Sequence, residues 1–342
     1  MQRAENFTEY ISAFEKELEH VAIDSISEEP YCKKYLFHLL EHKKYYLAIY
    51  ADVLYKLVTH SSGDKSKITL VDYGSGNGLL GLFAKFCGFK KVILIDIDAK
   101  FIIASQQLSA QLNIPIDGYI TGGIDALQLY CKSEIPDAIT GTDVIEHIYD
   151  LEGFFSGLQQ INSSIVSVFT TASNPVNFFK VRVLKKIQMK DELVGGGPSD
   201  HILFGEVALE PFLKIRQQII SKKYNSLPDT ELFALSKATR GMIEADIIKA
   251  AEQYHISKKL PAPAADSNTC NPLNGSWTER ILSLDAYISL YSTVGFTCKF
   301  YAGFYNEYEG GTGAFVKKLL NASLNILGNR ISPYIVIVGY RI

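Results

Sequence analysis

The feature that most constrains this chain is a row of spaced glycines between a β-branched segment and an apolar segment of helical pattern. It reads Val71-Asp72-Tyr73-Gly74-Ser75-Gly76-Asn77-Gly78, after Ile68-Thr69-Leu70 and before Leu79 to Cys87. Glycines let a backbone turn sharply and approach a ligand closely, and the following helix N-terminus offers unsatisfied N–H groups. A strand, loop and helix of this kind make a nucleotide or nucleoside pocket at the carboxyl edge of a parallel sheet. Spacing then separates the pocket classes. A dinucleotide fingerprint beginning at Gly74 needs glycine at position 79, where Leu79 stands, and the third glycine arrives at Gly78 instead. A phosphate-cradling loop needs Lys and then Ser or Thr after its last glycine, and neither Gly78-Leu79-Leu80 nor Gly81-Leu82-Phe83 supplies them. The spacing tells against a nicotinamide dinucleotide and gives no support to phosphate binding.

The sequence around this loop alternates. Strands are expected at Ile68 to Tyr73, Lys91 to Asp96, Ile116 to Thr121, Ala138 to Thr142 and Ile165 to Thr170, with helices at Leu79 to Cys87, Ala99 to Leu112 and Leu151 to Ile161 between them. Continuous apolar strands at this interval predict a parallel sheet covered on both faces. The alternation stops at Ser173-Asn174-Pro175 and resumes with a helix at Asp285 to Val294, a strand at Thr297 to Tyr305, a helix at Phe315 to Leu327 and a strand at Tyr334 to Ile342. The expected architecture is therefore α/β, a doubly wound, mostly parallel seven-stranded sheet. Residues 1–60 read as an N-terminal helical segment, 61–175 and 284–342 as the core, and 176–283 as a mostly helical insertion that serves as a substrate cap.

Asp72 followed by Gly74, Gly76 and Gly78 resembles motif I of the class I, Rossmann-like methyltransferases that use S-adenosylmethionine. Further landmarks fall in that family's order. Asp96 ends the second strand, Asp125-Ala126 follows the third, and Asp143-Val144-Ile145-Glu146-His147-Ile148 follows the fourth. This last segment is similar to one in small-molecule methyltransferases of the ubiquinone-type O-methyltransferase group, with Asp143 in place of a Glu. The resemblance covers about residues 45–175 and 284–342. It implies that Gly74, Ser75, Gly76 and Gly78 pass along the amino-acid and ribose parts of the cofactor and that Asp72 faces its ammonium group. It also implies that Asp96 with Ile97 holds the ribose end, that Asp125 and Ala126 face the adenine, and that Thr142 and Asp143 complete the pocket. The implied reaction is methyl transfer to a small-molecule acceptor, most simply an oxygen nucleophile. The insertion's Thr239-Arg240-Gly241 and Asn268-Thr269-Cys270-Asn271-Pro272 are similar to stretches in uncharacterised bacterial members and identify no substrate.

Each residue has a plainer role open to it. Asp96 competes with Asp98, because either carboxylate can cap the helix from Ala99, and Asp125 can cap a short helix. The candidate bases are His147, after the fourth strand, and His201, which follows Gly195-Gly196-Gly197-Pro198 and Asp200; either can equally be a loop or packing residue. Lys180, Arg182, Lys185, Lys186 and Lys190 form a basic run that attracts an anion or simply solvates a helix face. Phe178, Phe179, Tyr254, Trp277, Tyr305 and Tyr308 can line an acceptor pocket or pack a core. Asn174-Pro175 does not fit the N-P-P-Y signature of base-amino methylation, since Val176 and Asn177 follow it.

Composition narrows the partners. Lys and Arg number 34 against 37 Asp and Glu, a formal charge of −3, so no basic excess draws the chain to nucleic acid. Five scattered cysteines without a C-x-x-C pair indicate neither zinc ligation nor a disulfide framework, and no metal is expected. The N-terminal residues interleave charge and lack the apolar stretch of a secretory signal, and no run reaches the length of a spanning helix. A cytoplasmic protein with no membrane partner is expected. The two competing functions are a nicotinamide-dependent oxidoreductase on a similar sheet and a noncatalytic S-adenosylmethionine-binding scaffold.

Overall fold

The computed structural model describes residues 7–61, 63–196, 210–308 and 312–341. Its sheet has seven strands: β1 (Thr69–Tyr73), β2 (Lys91–Asp96), β3 (Gly118–Thr121), β4 (Ala138–Thr142), β5 (Val166–Thr171), β6 (Thr297–Ala302) and β7 (Ile335–Tyr340). The order across the sheet is β3-β2-β1-β4-β5-β7-β6, with β7 antiparallel to both neighbours and the pairings among β1 to β5 all parallel. This is the doubly wound, mostly parallel sheet expected from the sequence. The central strands are apolar on both faces because both faces are covered: Val92 to Ile95 and Ile335 to Val338 are fully buried. At the edges the pattern changes, with β3 only four residues long and β6 carrying Lys299, features that discourage pairing with another chain.

The chain divides into two compact units, one of residues 1–145, 151–172 and 283–342, the other of residues 146–150 and 173–282. In the first, α1 (Thr8–Leu18), α2 (Pro30–Glu41), α3 (Lys43–His60), α4 (Leu79–Phe86) and α5 (Ala99–Leu112) precede α6 (Ile124–Tyr130) and α7 (Leu151–Ile161). The N-terminal helices pack into this unit. Phe14 of α1 meets Phe83 and Phe86 at centroid distances of 5.3 and 5.1 Å, and α3 lies against β5 and β7. The short helix α6 was not anticipated by apolar periodicity, since seven residues give barely two turns and only Leu127 is buried. Strand β6 stops three residues before the expected Tyr305, because Gly303 turns inward there: its N–H donates to the Tyr334 carbonyl at 2.9 Å and the Ser332 hydroxyl at 2.9 Å.

The second unit is helical, built on α8 (Phe178–Leu193), α9 (Phe212–Lys223), α10 (Asp229–Ala238) and α11 (Glu244–Ser257). An apolar cluster of Ile220, Leu235, Ile247, Ala251 and Tyr254 joins the last three. Beside it lies a buried polar network. Arg216, fully buried, pairs with Glu192 and donates through Nε to the Ser236 carbonyl at 2.8 Å, while Thr269 donates to Glu192 at 2.8 Å. Thr278 donates to Asp191 at 2.9 Å, and Gln188 bridges Asn268 and the Glu279 carbonyl. The Thr239-Arg240-Gly241 and Asn268-to-Pro272 stretches belong to this internal framework: Arg240 Nη2 donates to the Ala264 and Asp266 carbonyls, and Gly241 at φ +81° lies against Trp277. Beyond the second unit the chain re-enters the first with α12 (Leu284–Thr293) and ends with α13 (Thr312–Leu327) and β7. Among the described residues no helix is long and apolar enough to cross a membrane.

A buried ion pair is costly to halve, because the remaining charge is left in a low-dielectric interior. Arg216→Ala is therefore expected to lower stability by about 3–5 kcal/mol, read as an early urea transition of the helical unit. An unchanged transition would show that Arg216 is not held as described.

Candidate functional site

Strand order reverses between β1 and β4, so the carboxyl ends of β1, β2 and β4 meet at a topological switch point. The glycine loop crosses it. Gly74, Gly76 and Gly78 all take positive φ, at +68°, +52° and +78°. A Cβ at position 74 would stand 2.4 Å from Val144 Cγ2, and one at position 78 would stand 2.7 Å from Leu94 Cδ1. Glycine is required there by conformation and by space together. The loop is tied to the end of β2: Gly74 and Ser75 both donate to the Ile95 carbonyl at 2.8 and 3.0 Å, and the Gly76 N–H donates to Asp96 Oδ2 at 2.8 Å.

Asp96 and Asp98 divide the two roles that the sequence left open between them. Asp98 is the N-cap of α5, accepting from the Lys100 N–H at 2.9 Å. Asp96 faces the loop, its Oδ1 accepting from the Asp98 N–H at 2.9 Å, and it is 8% exposed. Burial pushes its carboxyl up to about 6, against the pull of the Asp98 and Gly76 N–H groups. Asp72 is 2% exposed, with Oδ2 accepting from Gly81 N–H in the first turn of α4 at 2.9 Å. Burial pushes it up to about 7, opposed by that N–H and reinforced by the charge of Asp96. Among the described residues neither acid has a cationic partner. The buried atoms Ser75 Oγ and Asn77 Oδ1 likewise lack hydrogen-bond partners among the described residues, while Asn77 Nδ2 donates to the Cys32 carbonyl of α2 at 3.0 Å.

The remaining residues of the rim follow in order. Ile97, directly after Asp96, is 73% exposed, unusual for an aliphatic side chain beside a buried carboxylate. Gly122, at φ +140°, donates to the Asp96 carbonyl at 2.8 Å and leads into α6, whose first turn holds exposed Asp125 and half-buried Ala126; the N-cap of α6 is Gly123, not Asp125. The Tyr73 hydroxyl, pushed up to about 12 by burial and by Asp96 and Asp125, bonds the Ile124 N–H. Thr142 closes β4, and Asp143 follows at φ +51°, accepting at Oδ1 from the Ala172 N–H at 3.2 Å. The structure thus brings Asp72, the glycine loop, Asp96 and Ile97 together around one loop, with Asp125 and Ala126 reached through Gly122.

Sequence reasoning missed a group of tyrosines on α2 and α3. The ring of Tyr35 lies so close to Gly76 that a Cβ there would be 3.0 Å from Tyr35 Cε1, and Tyr31 and Tyr35 both stand edge-on to Phe101 of α5. Tyr46 is pushed up to about 12 by burial and then by Asp143; burial, with Asp143 next for Tyr35 and the neighbouring tyrosines next for Tyr50, raises those two hydroxyls as well. The available signal was four tyrosines in pairs four residues apart, 31 with 35 and 46 with 50, a spacing that stacks each pair on one helix face.

His147 belongs to the helical unit, on a short 3-10 turn from Ile145 to His147. Its Nδ1 lies 2.7 Å from the Trp277 carbonyl, and its own carbonyl accepts from the Trp277 N–H. A carbonyl only accepts, so Nδ1 carries the hydrogen and Nε2 is left as the basic atom. Trp277 stacks on Tyr149 at 6.0 Å, and Trp277 and Tyr254 are both buried, so these two aromatics pack the unit's interior. Phe178 and Phe179 are exposed on α8, where Phe178 and Arg182 help line a hollow of about 450 Å³; Lys185 of the basic run pairs with Asp266 at 2.9 Å. Asn174 is buried and forms a turn, Oδ1 accepting from the Val176 N–H at 3.1 Å. His201 lies outside the described residues.

No family model matches the chain. It is 29% identical over 125 residues to the ribosomal protein L11 methyltransferase of Vibrio vulnificus, a match covering 34% of this chain and 39% of that protein. The Tolumonas auensis protein of the same name is 37% identical over 95 residues, covering 26% of this chain and 30% of the relative. The chain thus spans well under half the length of the curated relatives it matches. Among solved structures, one from Galdieria sulphuraria, provisionally assigned as a sarcosine dimethylglycine methyltransferase, is 10% identical, with a TM-score of 0.41 and 86% of each chain covered.

The high carboxyl of Asp72 has a consequence for stability. In the unfolded chain the group ionises near its ordinary value of 3.8, in the folded chain near about 7, so between these values rising pH favours the unfolded state. Asp72→Asn, which keeps an oxygen for the Gly81 N–H, is expected to be more stable than the parent at pH 8, with an advantage that shrinks as pH falls toward 5. Thermal melts across that range check it, and parallel curves would contradict it.

Proposed function

We propose that this chain, whose core has the class I Rossmann-like methyltransferase fold, binds S-adenosylmethionine and transfers its methyl group to an acceptor. The observation that carries the reading is the Asp96 carboxylate, buried at the end of β2 and joined to the N–H of Gly76. It is a hydrogen-bond acceptor in an otherwise apolar strand end, with an exposed Ile97 beside it. The residues fit the cofactor's chemistry. Asp96 is suited to accept from the two ribose hydroxyls, Ile97 offers an apolar face to the adenine, and Asp125 with Ala126 faces its polar edge. The loop from Gly74 to Gly78 presents backbone close to the ligand, and the hydroxyl of Ser75 lacks a partner among the described residues. Asp72, with one oxygen on Gly81 and almost no exposed surface, acts on a cationic ligand through its field rather than by contact. Thr142 and Asp143 close the far side of the loop.

When bound, the cofactor supplies a methyl group already activated on a sulfonium sulfur. The protein's part is to orient, to exclude water and to manage the acceptor's proton, with orientation the largest gain. His147 Nε2 is the atom proposed to take that proton, its ring fixed by the Trp277 carbonyl on Nδ1, a contribution of roughly 10²-fold or more. The helical unit, inserted after β5, is proposed to select the acceptor. A small molecule with an oxygen nucleophile is the first reading. The relatives' name favours a second one, a protein acceptor. Because the match covers less than half of those relatives, their acceptor is not carried over with it.

The test is titration with S-adenosylhomocysteine. Binding is expected, weakened roughly 10- to 100-fold by Asp96→Ala, the loss of charge-assisted hydrogen bonds. Asp96→Asn keeps an oxygen for Gly76 and controls for collapse of the loop. Affinity should fall on acidification through about 6, where Asp96 takes up a proton and ceases to accept fully. Absence of binding, or equal binding by Asp96→Ala, would end the proposal, as would tight binding of NADH. Labelled methyl appearing in acid-precipitated protein rather than in low-mass products would favour the protein acceptor.

A further inference from the structure

We propose that His38, Glu41 and His42 form a divalent transition-metal site at the elbow between α2 and α3. None of the three takes part in the site described above. Positions 38, 41 and 42 share one face of the last turn of α2, because residues three and four apart on a helix are neighbours. One ligand atom from each side chain lies within 4.8 Å of the others. A tetrahedral ion with bonds of about 2.0–2.2 Å needs donors roughly 3.4 Å apart. The gaps between donors therefore close by at most about 1.4 Å on binding.

The donor set is two imidazoles and one carboxylate, which suits zinc, cobalt or nickel better than calcium or magnesium and leaves a coordination position for water. Glu41 supplies a formal negative charge to the site, where the negative C-terminal end of α2 meets the positive N-terminal end of α3. His38 Nε2 also lies 3.0 Å from the Tyr46 hydroxyl of α3, so the ring is oriented from the second helix, the arrangement that supports metal-ligating histidines. His42 is at once the C-cap of α2 and the N-cap of α3. A metal held there clips the two helices at their joint, and these helices carry Tyr35 and Tyr46. The sequence reading looked for cysteine pairs and passed over two histidines four apart.

The test uses the full chain, freed of metal with a chelator, and titrated with cobalt and with zinc. Each is expected to bind at one equivalent, with affinity lowered roughly tenfold or more in His38→Ala and in His42→Ala. Glu41→Gln should weaken binding less, and His255→Ala, on exposed α11 surface, should leave it unchanged. The three ligands are at the surface, and thermal melts verify that each variant folds. Saturating metal should raise the melting temperature of the parent and not of His38→Ala. No binding by the parent, equal binding by His38→Ala and His42→Ala, or a cobalt–thiolate charge-transfer band pointing to the cysteines would each overturn the proposal. None of these readouts depends on methyl transfer, so the metal site and the proposed function stand or fall separately.

Discussion

The hydrogen bond from the Gly76 N–H to the Asp96 carboxylate ties the first crossover of the sheet to the second. Through it the loop after β1 is held against the end of β2, and the same residue's carbonyl receives the Gly122 N–H that opens the way to α6. The loop can lie there only because Gly74 and Gly78 leave room for Val144 and Leu94. Holding the loop costs the protein two buried carboxylates, Asp96 and Asp72, neither with a cationic partner among the described residues. Such an arrangement disfavours the ionised acids in the free protein and is relieved by a ligand that donates hydrogen bonds or carries positive charge. Strain of this kind concentrates where function lies.

Much of this was legible in the sequence, and the reason is local. The strands β1, β2, β4, β5 and β7 are short β-branched runs whose faces are both buried, so the pattern that predicts them is the pattern that stabilises them. The glycine spacing told against a dinucleotide loop and gave no support to a phosphate loop before any geometry was known. Between Asp96 and Asp98 the sequence left an ambiguity that only the helix start resolves: Asp98 caps α5, which releases Asp96 for the loop.

Less was legible where contacts are distant in the chain. Tyr35 reaches Gly76 across 41 positions because α2 docks on α5, and nothing in the spacing of α2 announces that docking. His147 is fixed by the carbonyl of Trp277, 130 residues away, so its tautomer was unreadable from the E-H pair alone. The Arg216 and Glu192 pair joins two helices of an insertion whose stretches around Arg240 and Thr269 identified no substrate in the sequence and are internal framework. The division also follows the comparisons. The curated relatives match between about a quarter and 34% of the chain's length.

The most direct measurement of the central claim is the titration of the Asp96 carboxyl itself, followed by carbon NMR in the free protein and at saturation with S-adenosylhomocysteine. The account predicts a midpoint near about 6 in the free protein, falling below about 5 when ribose hydroxyls donate to the ionised form. A midpoint unmoved by the ligand, or already at the ordinary aspartate value in its absence, would contradict it.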